Sequence, residues 1–83
     1  MVKAIYRPEY EALTQLIKQL RGSAGLTQSQ CSEALGRPQS FMSDVENGAR
    51  RLDLVQLRDL CAALGTDLQT FVSAYESLLK RDS

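Results

Sequence analysis

Residues 25–48 read GLTQSQCSEALGRPQSFMSDVENG, and the punctuation of this stretch decides the fold. Thr27 suits a helix N-cap, and Gln30 follows three residues later, the spacing of a capping box in which each side chain satisfies a backbone N–H beside the other. Leu26 and Cys31 occupy the two positions of a hydrophobic staple. Cys31, Ala34 and Leu35 supply an inward face, and Gly36 ends a helix predicted over 27–35. A helix this short is not stable by itself and must lean on its neighbours. Only Gly36 and Arg37 separate it from Pro38, a favourable first residue for a third helix over 38–46. On a wheel advancing ~100° per residue from Gln39, the residues Pro38, Phe41, Met42 and Val45 fall at about 200–300°. Gln39, Ser40, Ser43, Asp44 and Asn47 fall at about 0–140°. One side packs, and the other carries short groups able to hydrogen-bond. Asn47-Gly48 then turns the chain.

Three more helices flank this pair. The first is predicted over 8–22, with Pro8 at its start, Glu9 and Glu11 in the first turn, and Tyr10, Leu13, Leu16, Ile17 and Leu20 at helical spacing. Leu52 and Leu57 repeat the staple, and Asp53 with Gln56 repeats the capping box, before a helix over 53–64. Asp67 caps a fifth helix over 67–79. The expected core is Leu13, Ile17, Leu20, Ala34, Leu35, Met42, Val45, Leu57, Leu60, Leu64 and Phe71. No period-2 strand pattern competes, so the fold class is all-α, one compact five-helix domain over 1–83.

At 83 residues the chain suffices for one small domain and excludes a barrel, a dinucleotide fold or a cleft between lobes. Its hydrophobic fraction of 43% and charged fraction of 24% are those of an ordinary globular domain. Ten basic and ten acidic residues cancel, which argues against non-specific coating of nucleic acid. The distribution is uneven. Residues 18–51 hold Lys18, Arg21, Arg37, Arg50 and Arg51 against Glu33, Asp44 and Glu46, leaving an acidic balance after residue 52.

Cys31 and Cys61 have no histidine and no CxxC to join, so neither a zinc site nor a cysteine nucleophile with its base can be assembled. Two buried thiols are the expectation, and they suit a reducing compartment. The N-terminus shows no signal-peptide core and no apolar run nears the ~20 residues of a membrane span. The expected location is the cytoplasm, away from membranes. No catalytic residue, metal or cofactor is expected, because no glycine-rich phosphate loop or other catalytic motif appears.

Two short helices joined by a tight turn form a helix-turn-helix, whose use is to lay the second helix in a DNA major groove while the first crosses the backbone. A helical packing module would share the same core periodicity. A protein-binding regulatory module, such as an antitoxin or an activator touching RNA polymerase, is the alternative from another functional class.

The ordered run Gly25-Leu26-Thr27-Gln28, Ala34-Leu35-Gly36, Gln39-Ser40-Phe41-Met42-Ser43 and Val45-Glu46-Asn47-Gly48 resembles the phage Cro and repressor (XRE) family of helix-turn-helix proteins. The likeness continues through Arg50-Arg51-Leu52-Asp53 and Leu60-Cys61-Ala62-Ala63-Leu64-Gly65, and covers residues 9–72. It implies a lambda-repressor-like DNA-binding domain and a transcriptional regulator, commonly a homodimer on a double-stranded operator. It places Gln39 at a base-reading position, with Ser40, Ser43 and Asp44 at other exposed positions of the recognition helix. Gln28 falls where the family contacts phosphate, Asn47 in a backbone-contacting turn, and Arg21 with Glu46 where a pair often joins helices one and three.

Three departures stand out. Pro38 replaces the serine or threonine that often opens helix three, Thr66 replaces a common valine, and Asp44 stands where a cation or glutamine is usual. An aspartate is repelled by phosphate unless it accepts from cytosine or pairs with a cation. Arg50 and Arg51, just past the recognition turn, are the remaining phosphate candidates. Leu68, Val72, Tyr75, Leu78 and Leu79 exceed what one terminal helix needs for docking; they are the expected dimer surface on helix 67–79, unless they wrap the domain's own core.

Overall fold

Each helix begins where a side chain, a proline or a tight turn relieves its free N–H groups. The computed structural model describes residues 7–81, so the ends of the 1–83 assignment and the reading of the N-terminal stretch lie outside the described residues. Five helices follow one another: α1 (Pro8–Ser23), α2 (Gln28–Ala34), α3 (Phe41–Glu46), α4 (Leu54–Ala63) and α5 (Leu68–Arg81). Pro8 opens α1 with Glu9 and Glu11 in its first turn. The Gln30 backbone N–H donates to Thr27 Oγ1 at 3.0 Å while Thr27 N–H donates to Gln30 Oε1 at 2.9 Å, closing the first capping box. Asp53 and Gln56 close the second at 2.7 and 3.0 Å. Asp67 accepts the Thr70 N–H at 2.8 Å, which also lowers its carboxyl below the ordinary aspartate range.

The core lies where all five helices meet. Leu16, Ile17, Cys31, Phe41, Met42, Val45, Leu60, Cys61, Leu64 and Phe71 form one buried cluster, with Leu13, Leu20, Leu35 and Leu57 half-buried against it. Both cysteines are free and buried, and burial pushes both thiols up. No helix among the described residues is long and apolar enough to cross a membrane.

Two sequence expectations require correction. Ala34 is exposed, not part of the core. The buried side of α2 centres on Cys31 and Ser32, and Ala34 lies roughly 160° from Ser32 around the helix. The third helix begins at Phe41, not Pro38. Pro38 is exposed, and its carbonyl accepts the Phe41 N–H at 2.9 Å, an i to i+3 turn. The α-helical partner of that carbonyl would be the Met42 N–H, but Met42 donates instead to Ser32 Oγ at 3.0 Å. Gln39 and Ser40 therefore lead into α3 as a turn. Ser40 supplies the first helical carbonyl, accepting from Asp44 N–H at 3.0 Å.

Candidate nucleic-acid interface

Helices α2 and α3 are fixed to each other by buried polar contacts. Ser32 is fully buried, and its hydroxyl both accepts from Met42 N–H and donates to the Gln39 carbonyl at 3.3 Å. Ser40 makes no side-chain cap to α3. The cap comes from α2 instead. One hydroxyl thus satisfies a free donor at the start of α3 and holds the preceding turn.

A second lock ties α3 to α1. Arg21 donates from Nε to Glu46 Oε2 at 2.6 Å and from Nη2 to Glu46 Oε1 at 3.1 Å. Its Nη1 donates to the Leu26 carbonyl at 2.8 Å, so the same guanidinium also holds the loop entering α2. The Glu46 side chain is only 2% exposed and that of Arg21 16%. Burial by itself would raise the Glu46 carboxyl, but the bonds from Arg21 and Gln28 outweigh it and keep the group below the usual glutamate range. The bond to Glu46 raises Arg21 correspondingly. Both partners are held charged.

Between the locks lies an open polar edge. Gln39 and Ser40 are exposed, and Ser43 and Asp44 are half-exposed. Gln39 donates from Nε2 to Ser29 Oγ at 2.9 Å, which orients its amide across the mouth of α2. Gln28 is half-buried at the start of α2, where its Nε2 donates to Glu46 Oε1 at 3.0 Å. One N–H of that amide is thereby used, and its carbonyl oxygen and second N–H remain. Asn47 is exposed, and its Oδ1 accepts the Ala49 N–H at 2.9 Å, shaping the turn after α3. The Asp44 carbonyl accepts from Ala49 and Arg50 N–H at 2.9 and 3.1 Å, so the same turn positions Arg50.

The two arginines rest on different rings. The Arg50 guanidinium lies over the Phe41 ring, 5.1 Å from its centre, beside α3. Arg51 lies over the Tyr10 ring of α1 at 4.9 Å. Three residues to which the sequence pattern assigns no site role border the edge: Ser32, Ser29 and Arg37. Arg37 is exposed and rests over Phe41 at 5.3 Å. A serine beside Cys31 on the inward side of α2 was the available signal for Ser32, since a buried hydroxyl needs partners.

The α5 candidates also divide. Leu68, Tyr75 and Leu78 pack against the domain's own core, and Tyr75 donates its hydroxyl to the Glu9 carbonyl at 3.1 Å. Leu79 is half-buried. Much of the apolar surplus in α5 is therefore spent within the chain. Val72 is 42% exposed, and the other open large apolar side chains among the described residues are Leu54 at 67% and Val55 at 69%.

Comparison with known proteins gives this geometry a context. The family model described as a helix-turn-helix domain matches residues 12–71. An XRE-family like protein from Pseudomonas syringae pv. tomato is 42% identical, with a TM-score of 0.81 over 92% of this chain and 93% of its own. The restriction-modification controller protein C.Esp1396I, 18% identical, superimposes with a TM-score of 0.77 over 86% of this chain and 93% of its own. The clp gene regulator ClgR from Corynebacterium glutamicum, 21% identical, gives a TM-score of 0.79 over 92% of this chain and 81% of its own. The last two speak to the fold. No curated protein matches.

Proposed function

Since the chain belongs to the XRE-type family of helix-turn-helix DNA-binding regulators, which are not enzymes, we propose that it is a transcriptional repressor that reads a palindromic operator as a homodimer in the cytoplasm. The observation that carries this reading is the grouping of Gln39, Ser40, Ser43 and Asp44 along one open edge at α3, flanked by Gln28 and Asn47. Gln39 reads a base edge, because an amide can donate and accept together and so matches adenine. Ser40 and Ser43 add shorter contacts. Asp44 accepts from cytosine N4. Gln28 donates its remaining N–H to phosphate, and Asn47, Arg50 and Arg51 meet the backbone on the other side.

A single short helix spans few base pairs, and a neutral chain has little spare electrostatic affinity. Two copies would double both kinds of contact, with recognition elements about 34 Å apart. The C-terminal half supplies the surface for this. Leu54, Val55 and Val72 are open there, and Leu79 lies on the same side of α5 as Val72.

Selection from a random duplex library at fixed salt, by the wild-type protein and by Gln39→Ala, tests the reading. A two-fold symmetric motif is expected for the wild type. Gln39→Ala should lose about 1–3 kcal/mol of discrimination at one position in each half-site. Equal loss on every duplex would reassign Gln39 to positioning. A wild-type protein that enriches no duplex would return the domain to the protein-binding class.

A further inference from the structure

Phe41 gathers two cations from opposite ends of the recognition unit. Arg37 reaches its ring from the connection between α2 and α3, and Arg50 from the turn after α3, at 5.3 and 5.1 Å from the ring centre. Both arginines are exposed, while Phe41 itself is buried. Together with Pro38, Ser40 and Asp44 they line one shallow hollow at the polar edge. We propose that Arg37 and Arg50 form a two-point clamp for the phosphodiester backbone of DNA, with Phe41 as the platform that holds both guanidinium groups in place. This rests on the DNA-binding reading above and adds to it a contact, Arg37, that the recognition-helix pattern did not supply.

The physical case has three parts. Like charges brought to one ring repel each other, and the ring's negative face offsets only part of this. Such a pair is relieved most by an anion. Second, the acids nearby do not take that role. Asp44, Glu33 and Asp59 line hollows that Arg37 also borders, yet the described ion pairs are Arg7 with Glu9 and Arg21 with Glu46. The edge donors of Arg37 and Arg50 therefore stay open. Third, a guanidinium resting on a ring loses little further freedom when it binds, and its planar fork fits two phosphate oxygens. The hollow also contains Ser40, at the edge proposed to face the bases, so a strand lying across it would bring the groove to Gln39.

The experiment uses the duplex that the wild-type protein selects from a random library, and an unrelated duplex of equal length. Affinity for both is measured between about 50 and 200 mM salt for wild type, Arg37→Met and Arg37→Lys. Methionine keeps an apolar stem on Phe41 and removes the charge. Arg37→Met should weaken both duplexes by the same factor and make the salt slope shallower by about 0.9, so that it loses about threefold less affinity than wild type across that range. Arg37→Lys should keep the wild-type slope. The selected motif should be unchanged in both variants. A wild-type slope in Arg37→Met overturns the clamp, whatever its melting temperature, and assigns Arg37 to packing. An altered motif overturns it in favour of base reading. If the wild-type protein shows no salt-dependent binding to either duplex, the DNA-binding reading fails and the clamp with it.

Discussion

The two halves of this small domain are held by different forces. In α4 and α5 the contacts are mainly apolar, with one bond from the Tyr75 hydroxyl to the Glu9 carbonyl: Leu60, Cys61, Leu64 and Phe71 join the buried cluster, and position follows from filling space. The helix-turn-helix is held in addition by polar contacts that have direction. Ser32 bonds two backbone groups of the segment entering α3, and Arg21 bonds Glu46 and the loop before α2. The difference follows from length. Helices of 7 and 6 residues offer little apolar area, and area does not define an angle. A hydroxyl or a guanidinium does, because its bonds weaken steeply out of line. A surface that must match a groove is the one fixed by directional bonds.

Breaking the Arg21–Glu46 lock should have the largest effect. Arg21→Ala leaves the Glu46 carboxylate buried with only Gln28 beside it, and removing one partner of a buried pair costs about 3–5 kcal/mol. Urea denaturation should show that loss, and DNA affinity should fall because the entry to α2 is released with α3. The pair also sets an acid limit. Glu46 is held below its ordinary value in the fold, so its contribution is complete above the unfolded glutamate range and disappears as pH falls through the lower folded value. Wild-type stability should therefore drop on acidification below about pH 4. Arg21→Ala should show a shallower drop over the same window. Identical acid profiles would remove this pair as the cause.

Ser32 offers a finer separation of the two kinds of order. Ser32→Ala leaves the buried Met42 N–H without its partner, which costs about 1–3 kcal/mol, and frees the part-buried Gln39 carbonyl. The path from Pro38 to Phe41 should relax with it, since the Met42 N–H becomes free to bond the Pro38 carbonyl and extend α3 toward the proline. Selectivity opposite Gln39 should then fall more than binding to unrelated duplex, measured by titrating both at one salt concentration. An equal loss on both would make the serine a stability element without influence on readout.

Legibility in the sequence followed distance along the chain. Both capping boxes, the proline start of α1 and the glycine-marked helix ends depend on residues three or four apart, and they stand where the spacing put them. The apolar stripes gave five helices in order, and boundaries moved by a residue or two except at α3. The start of α3 failed because Pro38 satisfied the local rule while a hydroxyl from another helix took the bond that would have completed the turn. Ala34 was misplaced for the same reason: Ser32 pulled the buried side of α2 toward itself. The polar edge could be anticipated from the wheel, because it lacks apolar residues. Arg37 could not, since its place over Phe41 depends on how the connection folds back and not on any local repeat.

The smallest effect on the isolated domain belongs to Val72, and it bears on what the apolar half does beyond packing. Val72 is partly open on α5, whereas its neighbour Tyr75 is committed to Glu9 and Leu78 to the core. An aspartate at Tyr75 would therefore damage the fold and any interface together. Val72→Asp separates them. Substitution at an open position should change monomer stability by no more than about 0.5 kcal/mol, while a charge placed in an apolar interface between two copies would be desolvated without a partner. Sedimentation equilibrium over a range of concentrations should find a dimer for wild type and dissociation for Val72→Asp at the same helical content. On a two-half-site duplex the variant should bind each half independently, and on a single half-site it should match the wild type. A dimer that survives Val72→Asp would move the contact to Leu54 and Val55, whose aspartate substitutions are then the next to measure. A wild-type protein that remains monomeric both free and on its selected duplex would leave the apolar half with packing as its only task.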